Sequence, residues 1–151
     1  MKTQLTQDGH QKLVDELELL TKTKRPAAVE RLSRARAMGD LSENSEYHAA
    51  KEELAFVEGR VREVEAILKQ AEVVEASGSQ HVVGLGSTVT IKHESDEETY
   101  DIVGEFEANP MEKKLSATSP IGKALIGKKV NERVQIAVPA GTKTYTIISV
   151  Q

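Results

Sequence analysis

The chain has no cysteine and no tryptophan, and only 3% of its 151 residues are aromatic. Without cysteine there is no disulfide scaffold and no thiolate metal site, a composition that suits a reducing compartment. With so few rings, any core must be built from aliphatic side chains. No apolar run approaches the ~20 residues that span a bilayer. The opening MKTQLTQDGH lacks the apolar stretch of a secretory leader. Nor is there an excess of positive charge: the formal net charge is −4, which argues against a general nucleic-acid binder, whose domains are basic overall. A cytoplasmic protein with no membrane association is expected.

What is present divides into two halves with different periodicities. Ala50, Leu54, Val57, Val61, Val64, Leu68 and Ala71 recur at spacings of 4, 3, 4, 3, 4 and 3, the seam of a coiled coil. Upstream, Leu13, Leu17 and Leu20 begin a second seam, which resumes one residue out of phase at Ala28, Leu32 and Ala35. Pro26 lies in between, and a proline inside a helix removes a hydrogen bond and crowds the preceding turn, so a kink or break is expected near Lys24 to Pro26. Gly39 can adopt the left-handed conformation that ends a helix. The sequence therefore predicts an antiparallel helical hairpin over 1–76 with its tip at about 38–44 and its turn at Met38 to Ser42. The second arm, from Leu41 to about Val74, would be about 50 Å long at roughly 1.5 Å per residue. Such a shape suits a probe or spacer.

Residues 77–81 read as a linker. Beyond it, from 82 to 151, Val, Ile and Thr alternate. Strands are expected at Thr88–Lys92 and Thr99–Val103, with a hairpin of Arg133–Val138 and Thr144–Val150. Ser119 and Pro120 are suited to the N-cap and first position of a short helix. The fold class is α+β: a coiled-coil hairpin followed by a small antiparallel sheet domain with a short helix.

Chemistry is concentrated in GDLSENSEYHAAKEE, Gly39 to Glu53. Lys22, Lys24, Arg25, Arg31, Arg34 and Arg36 lead into it with Glu30 the one acid among them. Such a run can be a solvated helix face. Beside acidic residues it can also hold a phosphate backbone while carboxylates hold a divalent ion. Asp40 and Glu43 are open to two readings. They fit a variant capping box, with Asp40 as N-cap, Glu43 three residues on and Ser42 as a competing cap. They could instead serve chemistry, but two carboxylates are too few for Mg²⁺, which wants six oxygen ligands. Any ion would have to be held partly by another molecule. His10, His48, His81 and His93 show no ligand spacing, and Gly84-Leu-Gly86 lacks the helix and lysine of a phosphate loop.

Several of these segments together resemble the bacterial Gre family of transcript cleavage and elongation factors. The tip GDLSENSEYHAA is similar to the family's GDLxENAEYHAA pattern. LTQDGHQKL at 5–13, Arg25-Pro26, EGR at 58–60, DEETYDIVGEFEA at 96–108 and SPIGKALIGK at 119–128 follow in the family's order. The resemblance implies an FKBP-like fold for 82–151, which docks on bacterial RNA polymerase at the mouth of its secondary channel. The hairpin would enter the channel and stimulate the polymerase's own Mg²⁺-dependent cleavage of backtracked RNA, so the chain would be no independent enzyme. It implies that Asp40 and Glu43 help stabilise Mg²⁺ held mainly by the polymerase and orient the attacking water. It further implies that Arg36 and Lys51 contact the nascent RNA 3′ end, and that Ser119, Pro120 and Ile121 dock on the polymerase. A monomer is expected, because the hairpin covers its own seams. Rival readings are a channel-binding inhibitor of polymerase, a coiled-coil interaction module without catalysis, and a peptidyl-prolyl isomerase, which the few aromatics Tyr100, Phe106 and Tyr145 disfavour. The chain has Asn109 where the family pattern often has Asp.

Overall fold

The computed structural model describes residues 2–40, 42–74 and 82–151, without the side chain of Val138. The expected linker 77–81 and Leu41 lie outside the described residues. Two compact units are present. One is Gln11–Gln70, and the other combines Met1–His10 with Ala71–Gln151.

The first unit is the helical hairpin. Helix α1 spans Gln7–Leu19, α2 Arg25–Ala37 and α3 Ser45–Gln70. The kink or break expected near Lys24 to Pro26 takes the form of a π-helical turn at Leu20–Lys24, in which the Arg25 amide donates to the Leu20 carbonyl five residues back. A π-turn absorbs one extra residue without ending the helix. That residue accounts for the slip in the seam: Leu13, Leu20, Ala28, Leu32 and Ala35 are all buried despite the change of phase. Pro26 then sits in the first turn of α2, where its missing N–H costs little. On the opposite arm Ala50, Val57, Val61, Val64 and Ile67 are buried. Arg60 of α3 reaches across to Glu16 of α1, with contacts of 2.6 and 2.8 Å.

Helix α3 is shorter than the expected arm. It ends at Gln70, and Ala71–Val73 forms strand β2, parallel to β1 at Thr3–Leu5. Neither strand is foreshadowed by the sequence pattern, since three residues are too few to show a period of two. Within the second unit Glu107 ties the segment after Val103 to the segment after β1. Its carboxylate accepts from the amides of Thr6 and Gly104, each at 3.0 Å, and from the Thr6 hydroxyl. Thr6 Oγ1 in turn accepts from the Gly9 amide in the first turn of α1.

The rest of the second unit is a five-stranded sheet. Strands β3 (Thr88–His93), β4 (Asp96–Val103), β5 (Lys114–Ser116), β6 (Arg133–Val138) and β7 (Gly141–Val150) lie in the order β5-β4-β3-β7-β6. Three of the pairings are antiparallel, as expected; β5 departs from this and runs parallel to β4. Alternation puts Val89, Ile91, Ile102, Val134, Ile136 and Ile147 on one face, and a register shift opposite Thr90 and Ile91 brings Val150 of β7 to the same side; they pack with Val83 and with Leu125 of the short helix α4, Pro120–Leu125. The core is aliphatic, and Tyr100 and Tyr145 pack only at its margin. No helix among the described residues is long and apolar enough to cross a membrane.

Candidate functional site at the hairpin tip

Helix α2 ends as Gly39 would have it end. Met38 caps the helix, Gly39 takes φ +86°, and its amide donates back to the Arg36 carbonyl at 3.3 Å. The next helix, however, does not begin at Asp40. It begins at Ser45, and Asn44 is the cap: its Oδ1 accepts from the Tyr47 amide at 3.0 Å. The same side chain faces the other arm, where Nδ2 donates to the carbonyls of Ala35 at 2.8 Å and Gly39 at 3.4 Å. One asparagine therefore closes both helix ends. A carboxamide carries its donor and its acceptor on separate atoms, which an ionised carboxylate cannot match. The capping reading of Asp40, Ser42 and Glu43 is corrected accordingly. Asp40 instead accepts from the Ser42 hydroxyl at 2.9 Å. Asp40, Ser42 and Glu43 are all solvent-exposed.

The apolar support beneath the turn is small. Leu32, Ala35 and Ala50 form a buried cluster with Tyr47 and Leu54 at its edge. Alanines at the crossing let the helices approach closely but bury little area. Polar contacts supplement them. Arg31 of α2 forks onto Glu46 of α3, with Nε to Oε1 at 2.7 Å and Nη2 to Oε2 at 3.2 Å, and its Nη1 meets Glu53 at 2.5 Å. The hydrogen bonds from Arg31 hold the Glu46 carboxyl below its ordinary range.

This changes the reading of the basic run. Arg31 is engaged by two carboxylates, Arg34 by Glu30 and Lys22 by Glu18. Arg36 has a different neighbour: its guanidinium lies 5.9 Å from the Tyr47 ring centroid. Arg36 and Lys51 are both exposed, one in the last turn of α2 and the other in the second turn of α3. Thus the hairpin brings Asp40, Glu43, Arg36 and Lys51 to the turn and the helix ends that flank it. Asn44, Tyr47 and Arg31 complete the setting. Sequence reasoning passed over Asn44, although an asparagine directly before a long seam is itself an N-cap signal.

Ser119, Pro120 and Ile121 belong to the other unit. Ser119 Oγ accepts from the Gly122 amide at 3.0 Å, and Pro120 opens α4, as its sequence indicates. Pro120 is exposed, while Ile121 is half-buried against the sheet core. Asn109 caps a short 3-10 turn through the Met111 amide at 3.1 Å. An Asp could accept the same bond.

No group of three or more His, Asp or Glu side chains suited to a metal occurs among the described residues. The two tip carboxylates fall short of the ligand set Mg²⁺ requires, so they fit only as added ligands to an ion that another molecule holds.

A hairpin with an exposed acidic turn, joined in one chain to a mixed sheet with a single short helix, defines a class of two-unit α+β protein. Its relatives give that class a function. A family described as "Transcription elongation factor, N-terminal" matches residues 3–73, and "Transcription elongation factor, GreA/GreB, C-term" matches 78–151. The chain is 51% identical over 148 residues to transcription elongation factor GreA of Bacillus subtilis (strain 168), covering 97% of this chain and 94% of that protein. It is 50% identical over 150 residues to the protein of the same name from Bacillus cereus (strain AH187), covering 97% and 95%. A solved structure of the transcription factor Gfh1 is 28% identical with a TM-score of 0.50, covering 100% of this chain and 98% of that one. The chain belongs to the GreA/GreB family of transcription elongation factors.

Proposed function

We propose that this elongation factor binds bacterial RNA polymerase in the cytoplasm, inserts its hairpin tip into the secondary channel, and stimulates the polymerase's own cleavage of backtracked RNA. The observation that carries the reading is the tip itself. Asp40 and Glu43 are exposed at a turn that needs neither of them as a cap, because Asn44 does that work. Carboxylates freed from a structural duty are available to a partner's chemistry.

In this reaction a water oxygen bonds to phosphorus, and the bond from phosphorus to the upstream 3′ oxygen breaks. The water loses its proton and the leaving oxygen gains one, giving a new 3′ hydroxyl and a fragment with a 5′ phosphate. Asp40 and Glu43 accept hydrogen bonds from the water and orient it, and a carboxylate can take its proton. Their remaining oxygens would supplement the ligands of Mg²⁺ held by the polymerase. That ion, when bound, neutralises charge developing on the phosphoryl group. Arg36 and Lys51 hold the extruded RNA through its phosphates. Ser119, Pro120 and Ile121 form part of the polymerase-docking surface, with Pro120 as the exposed element.

The test is RNA cleavage in stalled, backtracked polymerase complexes with Mg²⁺. Wild type should release short 3′ fragments and restore elongation. Asp40→Asn and Glu43→Gln should bind polymerase as wild type does and lose about 10²-fold or more in stimulated cleavage rate. Full stimulation by both variants would refute the catalytic assignment. Slowed elongation by wild type, without cleavage, would make the chain a channel-binding inhibitor.

A further inference from the structure

We infer that Arg31 is a positioning residue for the cleavage reaction: it sets the axial register of α2 against α3 beneath the tip by clamping Glu46 and Glu53, and does not contact RNA. The inference rests on the function proposed above.

The geometry carries it. Arg31 contacts two carboxylates one heptad apart on α3, one of them bidentate. A planar guanidinium fixed at both edges defines position along the helix axis as well as separation. The surrounding apolar contacts are poor at this task. Ala35 and Ala50 are small, and sliding one alanine past another changes little buried area. The clamp sits directly under the chemistry, since Glu46 lies in the first turn of α3, three residues after Glu43 and two after the Asn44 cap. An error of register would move Asp40 and Glu43 together while leaving both intact. The cluster is also partly exposed, with 41% of the Arg31 side chain and 46% of each carboxylate side chain accessible. Exposed pairs add little to global stability, so its effect should be seen in placement and not in melting.

The alternative is that Arg31 is one of the cations that grip RNA, as its place in the basic run suggests. The two roles differ in what removing the acids does. A gripping arginine is freed when Glu46 and Glu53 are neutralised, whereas a clamp loses its charge-assisted fork.

The experiment compares Arg31→Ala, Arg31→Lys and the double variant Glu46→Gln/Glu53→Gln in full-length protein with backtracked polymerase complexes. Maximal cleavage rate and half-saturating factor concentration are read separately. All three variants should lose about tenfold in maximal rate. Their half-saturating concentration should stay within about twofold of wild type, as expected where binding is retained. Wild-type or faster cleavage by the Glu46→Gln/Glu53→Gln variant overturns the proposal and makes Arg31 an RNA contact. Full activity of Arg31→Lys overturns the requirement for a fork.

A second readout does not depend on cleavage. The chain has no cysteine, so Ser33→Cys and Ala49→Cys accept a unique pair of spin labels on exposed positions of the two arms. Removing the clamp should broaden the label-to-label distance distribution. An unchanged distribution overturns the clamp, and it does so even if wild type proves not to stimulate cleavage at all.

Discussion

The two units reach order by opposite means. The sheet unit surrounds an aliphatic core in which Val89, Ile102, Leu125 and Ile147 have no accessible surface. Its functional candidates, Ser119 to Ile121, lie on the short helix that seals that core. The hairpin unit buries a single stripe, and towards its tip the stripe thins to two alanines, a leucine and the edge of a tyrosine. There the arms are tied by an asparagine and an arginine. Packing is strong but weakly directional, and hydrogen bonds are weak in net terms but directional. The proposed docking surface can rest on the first. The proposed catalytic carboxylates would need the second.

Core truncation should break the comparison most visibly. Ile147→Ala should cost about 2–5 kcal/mol of sheet-unit stability in urea denaturation, a range no single change at the tip should reach. Next comes the turn. Asn44→Ala should cost about 0.5–2 kcal/mol of hairpin stability, read from helical circular dichroism on heating. Asp40→Ala should stay within about 0.5 kcal/mol of wild type, which would separate the residue that holds the turn from the one proposed to act in cleavage.

The smallest effect is in pH, and it has opposite signs in the two units. Glu16, hydrogen-bonded to Arg60, has its folded pKa lowered from 4.5. That contribution is complete above the ordinary carboxylate value and is lost as pH falls through the lower folded one. Tyr100 is pushed up to about 12 from 10.0, by desolvation first and then by its hydrogen bond to Glu98. Its contribution is complete below 10.0 and declines as pH rises towards 12. Denaturation across pH should show Glu16→Gln flattening the acid limb alone and Tyr100→Phe the alkaline limb alone.

Periodicity carried much of this architecture. A strict 4-3 seam can be satisfied in few ways, so the hairpin was legible from Ala50, Val57, Val61 and Val64. Ser119-Pro120 marked α4, and alternation marked most of the sheet. What escaped was fixed by contacts between residues distant in sequence. Strand β1 exists because Ala71–Val73 lies beside it, and Glu107 joins Thr6 across 101 positions. At the tip, the sequence reading offered Asp40 and Ser42 as caps and passed over Asn44. The choice among them depended on a bond to Ala35 on the other arm, which no local pattern encodes. Within the basic run, the partners of Arg31 were hidden for a similar reason, because Glu46 and Glu53 lie 15 and 22 residues away.

The π-turn at Leu20–Lys24 has a consequence for how this arm tolerates change in length. It already stores one surplus residue. Deleting Thr21 would remove that surplus and return Leu20 and Ala28 to plain heptad spacing, with Pro26 then pressing on an ordinary turn. Deleting Ser33 instead would have no reservoir to draw on and would rotate everything beyond it by about 100°. Asp40 would then be presented from the wrong side of the arm. The helix thus carries a built-in allowance for the loss of a residue at one point along its length, and none in the stretch that delivers the tip.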